Sequence, residues 1–454
     1  MKPEDARFKL GEWLVEPQLN RLMRPDGETV QLEPKMMDVL VCLARHAGEV
    51  VSREQLIDAV WPNLFISESV LTRAIAGLRR AFGDDARTPE FIETISKRGY
   101  RLLNTCESPP ATFSVAAGEG PPVWPYVVGQ WVRADGFYGR GEQLCEVLDG
   151  PRNGFWVVGT RRRGKTSLLK QLEHLAAAEA SHRFVPVFWD LEGTDDDSAL
   201  ASSFEEALFD AEPRLEEVGL SLSEIVDDDL LHMLGTLRRR LSAAGSSLLL
   251  LCDEAEELLN IASASEATIR RLHRALLAHE GMRTVLASGP RLWDLASGSK
   301  TSPFLDGFLP PLYLGPLKPP SARALVLQNQ LSGVARPELS DEVVESICHW
   351  GGGHPFLLQL LSKRVVELGS VDRGVAAIVA DRSVTTLFEI DLELLDNRQR
   401  EILDTLTQQK DGPGIENTDS AAVLELEQLG LIGASESGRF GIALPLFENW
   451  LCGS

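Results

Sequence analysis

The chain has 454 residues, of which 44% are hydrophobic and 25% charged, an ordinary composition for a soluble globular protein of about two to four domains. Its formal net charge of −22 argues against a protein that coats nucleic acid or an anionic membrane along its whole length. The six cysteines are scattered without paired spacing, MKPEDARFKL is not a signal peptide, and no apolar run approaches the ~18–20 residues of a membrane span. We therefore expect a cytoplasmic protein with no membrane partner.

The N-terminal part differs from the remainder in charge. Residues 1–105 carry 15 Lys and Arg against 16 Asp and Glu, whereas the remainder carries 30 against 51. Strand-like text, FKLGEWLVE and VQLE, precedes three helical stretches, and FIETISKRGYRLL closes the segment as two short strands. The second stretch, Ser52 to Val60, opens with a capping box of Ser52 and Gln55. This order of elements predicts a winged helix-turn-helix domain over residues 1–105.

The third predicted helix, Glu68 to Phe82, has two unlike faces. Its apolar stripe is assigned to the core and consists of Leu71, Ile75, Leu78 and Phe82. The other face is slim and basic, which suits the ~12 Å major groove of DNA, and the tip of the closing hairpin suits phosphates. The side chains predicted to contact double-stranded DNA are Ser69, Thr72, Arg73, Arg80, Lys97, Arg98 and Arg101. The alternative interpretation is a solvated basic helix face.

The segments VVSREQLIDAVWP, LTRAIAGLRRAFGDD and FIETISKRGYRLL resemble the OmpR/PhoB-type winged helices of bacterial transcription regulators. The resemblance covers nearly all of residues 7–104 and implies that the third helix and the wing bind DNA. This sequence has Ala76 and Gly77 where many members carry basic residues in mid-helix. Residues 106–128 are rich in Pro, Gly, Ser and Ala and are predicted to form a flexible linker.

FWVVGTRRRGKTSLLKQLEHLAA has the pattern of a strand, a glycine loop and an amphipathic helix. The spacing G-x-x-x-x-G-K-[ST] predicts a phosphate-binding P-loop whose backbone N–H groups and helix N-terminus face the phosphates. Lys165 is expected to reach the β- and γ-phosphates, and the Thr166 hydroxyl to ligate Mg²⁺. The loop residues predicted to bind ATP or ADP are Gly159, Gly164, Lys165, Thr166 and Ser167.

A P-loop also needs an acidic partner strand, and SSLLLLCDEAEELL provides one. Asp253 is predicted to hold Mg²⁺ through its water shell, and Glu254 to orient or deprotonate the attacking water. Ser288 ends a further strand, MRTVLASG, where a catalytic polar group is expected. Asp190 and Arg291 are weighed as further polar groups; Ser288 and Asp190 are each set against the interpretation of a loop or cap residue, and Arg291 against that of a surface arginine. A parallel sheet with its ligand at the strand C-termini is the expected architecture.

FYGRGEQL, the P-loop, CDEAEEL, YLGPL and GGGHPFLLQLL occur in this order along the chain. That order resembles the STAND-type and archaeal-type signal-transduction ATPases, which are relatives of AAA+ proteins, over roughly residues 135–450. The resemblance implies an ATPase domain over 129–310 and a helical lid over 311–375. It also implies adenine contacts from Tyr138, Gly139, Arg140, His354 and Pro355. Arg162 and Arg163 match the form of the loop in those ATPases, which favours a nucleotide-side or interdomain role.

Residues 380–454 are predicted to form a second, smaller winged-helix-like module. NRQREILDTL and AAVLELEQLGLI are helical, and GASESGRFGIALPLF follows as a hairpin. Its second helix carries Glu425 and Glu427, so a regulatory or packing role is favoured over DNA binding. The module resembles the winged helix that closes over the nucleotide in STAND ATPases, although the phosphate-contacting histidine of their MHD motif is absent from RFGIALPLF.

The predicted fold is therefore a multidomain α/β protein, and three functions remain open, of which the third is a nucleotide-bound scaffold without turnover. The first is a transcription regulator switched by ATP and ADP, with slow hydrolysis as a reset. Its expected partners are promoter or operator DNA, RNA polymerase as a further candidate, and a second copy of the chain when nucleotide is bound. The second is a DNA-targeted P-loop ATPase effector in defence or mobile-element biology.

Overall fold

The structure is a computed structural model. It describes residues 8–11, 13–17, 20–24, 29–32, 34–60, 68–84, 89–95, 98–103, 106–107, 125–227, 229–277, 280–293, 295, 304–331, 336–408, 420–434 and 440–453. The chain divides into two compact units, Met1–Val123 and Trp124–Ser454. Among the described residues, no helix is long and apolar enough to cross a membrane.

Unit 1 contains two small antiparallel sheets. The strands of the first are β1 (Phe8–Leu10), β2 (Trp13–Glu16), β3 (Arg21–Met23), β4 (Thr29–Gln31) and, later in the chain, β8 (Cys106–Glu107), in the order β4-β3-β2-β1-β8. The strands of the second are β5 (Val50–Val51), β6 (Ile92–Ile95) and β7 (Gly99–Leu102), in the order β5-β7-β6. The predicted closing hairpin is confirmed, because β6 and β7 pair with Ile95 opposite Gly99.

Three helices pack on these sheets: α1 (Pro34–Arg45), α2 (Arg53–Val60) and α3 (Glu68–Phe82). The capping box is confirmed, since the Gln55 N–H donates to Ser52 Oγ at 3.1 Å and the Ser52 N–H donates to Gln55 Oε1 at 2.9 Å. The stripe assigned to the core is buried in full: Leu71, Ile75, Leu78 and Phe82. Phe82 stacks on Phe91 at 4.8 Å, which joins α3 to the hairpin. The winged-helix fold predicted for this part of the chain is confirmed.

Unit 2 is built on a parallel five-stranded sheet. Its strands are β9 (Gly154–Val158), β10 (Phe184–Asp190), β11 (Ser247–Asp253), β12 (Met282–Ser288) and β13 (Leu312–Tyr313), in the order β10-β11-β12-β9-β13. The sequence of these strands is apolar at successive positions because both faces of the sheet are covered. The helices that accompany the sheet are α4 (Gly141–Asp149), α5 (Lys165–Ala178), α6 (Asp197–Glu217), α7 (Leu230–Ala243), α8 (Leu258–Ala264) and α9 (Glu266–Leu276).

Helix α5 covers one face of this sheet. Its Leu168, Leu169 and Leu172 are fully buried in one apolar cluster with Phe155, Val157, Leu249, Leu251, Val285 and Ala287 from the strands. Each such side chain contributes about 1.5–3 kcal/mol when it leaves water. Because the loop between β9 and α5 is held at both ends by this core, its backbone has a fixed place at the C-terminal edge of the sheet.

Helices make up most of the remainder of unit 2. They are α10 (Pro319–Leu327), α11 (Asp341–Gly351), α12 (Pro355–Leu368), α13 (Val371–Val379), α14 (Arg382–Glu393), α15 (Asn397–Gln408), α16 (Ser420–Gln428) and α17 (Pro445–Gly453). Between the last two, β14 (Ile432–Ala434) pairs antiparallel with β15 (Phe440–Ile442). The predicted hairpin is thus present but shorter than expected. Its last residues, PLF, begin a helix whose Leu446 and Phe447 are buried.

Several predicted boundaries differ from the structure. Cys106 and Glu107, predicted as the start of the linker, pair with β1 and extend the sheet of unit 1. At the other end of the predicted linker, Tyr126 is buried and its hydroxyl donates to the Val326 carbonyl at 2.8 Å. The predicted end of the lid at 375 falls inside α13. These boundaries depend on pairing, burial and helix length in the folded chain, which the local sequence does not determine.

Candidate nucleotide site and nucleic-acid interface

The P-loop connects β9 to α5, as predicted. Gly164, the last loop residue, has a φ of +93°, a conformation that glycine adopts without a Cβ clash. Its carbonyl accepts from the Leu168 N–H at 2.9 Å, which starts the helix. The loop backbone therefore ends at a helix N-terminus, where unpaired N–H groups and the helix dipole favour phosphate.

Lys165, Thr166 and Ser167 follow at the start of α5. Lys165 Nζ donates to the carbonyls of Gly159 at 3.2 Å and Thr160 at 3.4 Å, so the ammonium lies over the loop. The Thr166 hydroxyl bonds to the Asp253 carboxylate. Ser167 Oγ accepts from the Val132 N–H at 3.2 Å, which leaves the Ser167 backbone N–H as its available phosphate donor.

Asp253 ends β11 and lies beside Asp190, which ends β10 in register with it. Burial, reinforced by the Glu254 charge, raises the pKa of Asp253 to about 6, although Thr166 and Lys165 oppose this shift. Burial and the neighbouring carboxylates raise the pKa of Asp190 to about 7. The edge of the sheet therefore concentrates carboxylates that a cation or the Lys165 ammonium stabilises.

Glu254 follows Asp253 with a left-handed φ of +49°, a sparsely populated conformation for a residue with a Cβ. Burial and repulsion from Glu256 raise the pKa of Glu254, while Lys165 and Arg161 oppose the shift. A carboxyl whose pKa moves towards neutrality is suited to accept a proton from water.

Mg²⁺ fits the donors at this edge. Within the part of the chain that the structure describes, no three His, Cys, Asp or Glu side chains are grouped to hold a metal ion directly. A P-loop Mg²⁺ does not require such a group, because a hydroxyl, the phosphates and water supply most of its oxygen ligands. The contact between Thr166 and Asp253 already places one hydroxyl and one carboxylate together.

The side chain of Ser288, which is predicted to be catalytic, does not reach the loop. Its hydroxyl accepts from Trp156 Nε1 at 2.8 Å and donates to the Gly289 carbonyl at 2.9 Å. It alternates along β12 with Ala287, which packs on the α5 side, so Ser288 faces the other side of the sheet. Only its backbone carbonyl meets the loop, accepting from the Gly159 N–H at 3.3 Å. Arg291 donates to the Glu393 carbonyl at 3.2 Å.

The residues predicted to contact adenine lie in two places, just before α4 and at the start of α12. Arg140 has a φ of +64°, and its guanidinium donates to the Gly315 carbonyl at 2.5 Å. Burial and the nearby Arg163 lower the pKa of Arg140 to about 10. Tyr138 is buried, and its hydroxyl accepts from the Gln330 N–H at 3.4 Å, so the ring lies against the segment after α10.

His354 and Pro355 begin α12 beside the loop. His354 is fully buried, and burial together with Arg163 and Arg162 holds its pKa well below the ordinary value. The Arg162 guanidinium stacks over the Phe356 ring at 4.3 Å. The structure therefore brings the predicted His354 next to the loop arginines, as a neutral imidazole.

In unit 1, the face of α3 opposite the core is only partly described. The side chains of Ser69 and Arg73 and the whole of Lys97 lie outside the described residues. Arg80 and Arg98 are exposed and Thr72 is half-buried. Gly77 packs against α1, because a Cβ there would approach Met36 Cε to 2.7 Å. The glycine in mid-helix thus allows two helices to approach closely.

Two basic side chains near the wing are held by protein partners. Arg101 Nε donates to Glu93 Oε2 at 2.8 Å across the hairpin, so this predicted phosphate ligand is ion-paired. Arg79 donates to Thr94 Oγ1 at 2.8 Å and to the Ile92 carbonyl at 3.0 Å. Arg79 therefore fixes the wing to α3, while its neighbour Arg80 stays exposed.

Comparison with protein families agrees with this geometry in both units. Residues 27–102 match the family described as "Transcriptional regulatory protein, C terminal", and residues 150–296 match an AAA domain. The chain joins an OmpR/PhoB-type winged-helix domain to an AAA-type P-loop ATPase domain. The AAA-type domain implies nucleotide binding.

Relatives of the winged-helix domain include transcriptional activators and other transcriptional regulators. The domain is 44% identical over 96 residues to the transcriptional activator CadC of Escherichia coli, which covers 21% of this chain and 19% of CadC. It is 33% identical over 108 residues to the cholera toxin transcriptional activator of Vibrio cholerae, covering 23% of this chain and 37% of that protein. The chain thus spans well under half of these relatives.

The likeness of the AAA-type domain and its helices to a solved structure is one of fold. The Walker-type ATPase of Pyrococcus abyssi superposes with a TM-score of 0.52 at 17% identity, over 71% of this chain and 98% of that one.

Two residues at the P-loop were not predicted. Asp391 of α14 is buried, and its carboxylate accepts from the Arg161 N–H at 3.1 Å and bonds to the Thr160 hydroxyl. Gly430, after α16, accepts from Arg163 Nη2 at 3.0 Å. This second contact joins the loop to the turn after α16, and the nucleotide-side or interdomain role predicted for Arg162 and Arg163 stays a prediction. Neither partner has a sequence signal, because a single acidic residue in a helix and a glycine after one are ordinary.

Proposed function

We propose that the protein is a DNA-binding transcription regulator controlled by nucleotide. The winged-helix domain binds double-stranded DNA, and the AAA-type domain binds ATP or ADP with Mg²⁺. The nucleotide state selects between arrangements of the chain that differ in DNA binding. ATP hydrolysis is slow and returns the protein to its starting state.

The arrangement of Lys165, Thr166 and Asp253 is the observation that carries the nucleotide part of this proposal. A lysine over the loop and a threonine hydroxyl on the carboxylate of a neighbouring strand are the groups that a nucleotide with Mg²⁺ requires. Bound Mg²⁺ would neutralise phosphate charge, with Thr166 as a direct ligand and Asp253 as a partner of its water shell.

The protein's own residues then have separate roles. Lys165 exchanges its contacts with the loop carbonyls for phosphate oxygens, and the N–H groups at the start of α5 bind the remaining phosphate charge. Glu254 accepts a proton from the attacking water. His354 lies near Arg162 and Arg163, and Arg140 lies near Arg163; both are assigned to the adenine side of the site.

The DNA part rests on the exposed basic residues Arg80 and Arg98 and on the relatives, which are described as transcriptional activators. A single winged helix contacts one half-site of DNA. We therefore propose that two copies of the chain bind paired half-sites when nucleotide is present.

The test uses the full-length protein and a pool of random-sequence DNA duplexes. Duplexes retained by the protein are sequenced in the presence of Mg·ATP, in Mg·ADP and without nucleotide. We expect one enriched motif, retained most strongly with one of the two nucleotides. Lys165→Ala should weaken the binding of fluorescent mant-ATP at least tenfold, and should remove the nucleotide dependence of DNA retention.

Lys318→Ala is the matched control, because the Lys318 side chain is 72% exposed and its ion pair with Glu142 lies at the surface. Retention of one motif without any dependence on nucleotide would contradict the switch. Absence of a motif together with rapid, DNA-stimulated ATP turnover would instead support the effector function.

A further inference from the structure

The P-loop is held by two contacts from the C-terminal part of unit 2. Asp391 of α14 accepts from the Arg161 N–H at 3.1 Å, and Arg163 Nη2 donates to the Gly430 carbonyl at 3.0 Å. We call Asp391, Arg163 and the Gly430 carbonyl the loop clasp. It joins the phosphate-binding loop to the helix before the C-terminal module and to the turn between α16 and β14.

The clasp is buried and tightly packed. Arg163 and Asp391 are 0% and 2% exposed, so both charged groups have exchanged water for protein partners. Gly430 has a φ of +71°, and a Cβ there would approach Pro316 Cδ to 2.4 Å. The carbonyl that receives Arg163 is therefore fixed in place by its own backbone conformation and by Pro316.

The Asp391 carboxylate occupies donors of the kind that bind phosphate. Backbone N–H groups of a P-loop are its phosphate ligands, and the Arg161 N–H already donates to Asp391. The Thr160 hydroxyl bonds to the same carboxylate, and the Lys165 ammonium lies near enough to stabilise its charge. Lys165 is also the group expected to reach the β- and γ-phosphates. A terminal phosphate thus approaches a place where an anion is already present.

We propose that the Asp391 carboxylate is an internal competitor of the terminal phosphate of ATP, and that its displacement is transmitted through Arg163 to the C-terminal module. ADP lacks the terminal phosphate and leaves the clasp closed. This inference rests on the proposed nucleotide binding and names how that binding is sensed.

The burial of Arg163 explains how displacement of Asp391 is transmitted to the C-terminal module. When Asp391 leaves the loop, the Arg163 guanidinium loses the negative charge that stabilises it inside the protein. A buried charge without a partner is strongly unfavourable, so Arg163 moves as well and gives up the Gly430 carbonyl. Two stable positions of the clasp then correspond to the two nucleotide states.

The experiment measures the affinities of full-length protein for mant-ADP and for a hydrolysis-resistant mant-ATP analogue, both with Mg²⁺. Asp391→Asn removes the negative charge and keeps the size of the side chain. We expect the variant to bind the ATP analogue about tenfold more tightly, within the range of coupling between linked sites, and mant-ADP within about twofold of wild type. Glu389→Gln, exposed on the same helix, should change neither affinity.

Hydrogen exchange of residues 420–434 and 440–453 supplies the second measurement. In wild type, exchange should increase on addition of the ATP analogue and not of ADP. Arg163→Lys should abolish that response while nucleotide still binds. If Arg163→Lys does not fold, as shown by loss of a cooperative melting transition, the Asp391→Asn affinities still decide the proposal.

The outcomes separate the two proposals. Wild type that binds neither nucleotide contradicts the proposed function itself. Wild type that binds both, with an Asp391→Asn variant that is unchanged, equally affected for both nucleotides, or weaker for the ATP analogue, overturns the competitor role alone. In those cases Asp391 only supports the loop.

Discussion

We expect substitution of Glu254 to separate nucleotide binding from hydrolysis. Burial and repulsion from Glu256 raise the pKa of its carboxyl towards neutrality. Glu254→Gln keeps the size of the side chain and removes the base. We expect phosphate release to fall by about 10²–10⁴-fold, because a positioned general base contributes that much.

The measurement for Glu254→Gln is single-turnover phosphate release beside mant-ATP affinity, which should stay within about twofold of wild type because the phosphate donors are intact. Glu257→Gln is the control, since Glu257 bonds to Asn260 at the surface. Equal rates in wild type and Glu254→Gln would show that another group accepts the proton.

His354 makes the stability of unit 2 depend on pH. Burial, Arg163 and Arg162 hold its pKa well below 6.5, so the folded protein keeps it neutral while the unfolded chain takes up a proton. Its contribution to stability is complete above about pH 6.5 and decreases as the pH falls below that value. Between pH 7 and pH 5 the loss reaches up to about 2 kcal/mol for one proton.

We expect His354→Gln to show a smaller fall in melting temperature between pH 7 and pH 5 than wild type does. Thermal unfolding at the two pH values checks this. His232→Gln, at an exposed position of α7, should behave like wild type. A His354→Gln protein with an undiminished pH dependence would mean that other groups cause it.

In helix α3, the neighbouring residues Arg79 and Arg80 have different surroundings. Arg79 bonds to Thr94 and to the Ile92 carbonyl, whereas Arg80 is exposed. We expect Arg79→Ala to destabilise the winged-helix domain by about 1–2 kcal/mol through loss of charged hydrogen bonds. Arg80→Ala should leave its melting unchanged, weaken DNA binding across sequences and lower the salt dependence by about one phosphate contact.

Melting curves and DNA titrations at several salt concentrations distinguish the two variants. The selected duplex from the retention experiment serves as the DNA. If Arg80→Ala binds DNA with the wild-type salt dependence, the exposed face of α3 is not the interface.

The elements could be predicted where a local pattern determines them. The stripe of α3, the capping box and the P-loop between strand and helix each depend on residues a few positions apart, and the structure has all three. Helix α17 was missed because LPLF alternates like a strand, yet Leu446 and Phe447 are buried and Phe447 packs against Phe388 of α14.

The partners of the candidate site were less accessible to prediction. Ser288 has the expected place at the end of a strand, but the side on which it points depends on register with β9 and on Trp156. Asp391 and Gly430 reach the loop from 230 and 267 residues away along the chain. No spacing rule connects positions so distant, since only the packing of α14 and α16 brings them together.

For the whole molecule, the presence of two compact units makes a specific prediction. Unit 1 has its own buried core, including Trp13, Leu40, Leu71 and Tyr100. A fragment of residues 1–123 should therefore fold and bind the selected duplex with an affinity independent of ATP or ADP. The full chain should bind it in a nucleotide-dependent way.

Fluorescence anisotropy of the labelled duplex, with fragment and full chain side by side, measures this difference. Full-length Lys165→Ala is the control for loss of nucleotide without loss of unit 2. A fragment that folds and fails to bind would show that unit 2 takes part in the DNA contact itself.

The three consecutive arginines of the loop have an evolutionary consequence. Arg161 is exposed and contributes its backbone N–H, Arg162 stacks on Phe356, and Arg163 is enclosed against Gly430. In a saturation-mutagenesis library, Arg161 should therefore tolerate the most substitutions, Arg162 fewer and Arg163 the fewest. During evolution, Arg161 should be replaced readily, whereas Arg163 should change only together with the distant residues that contact it.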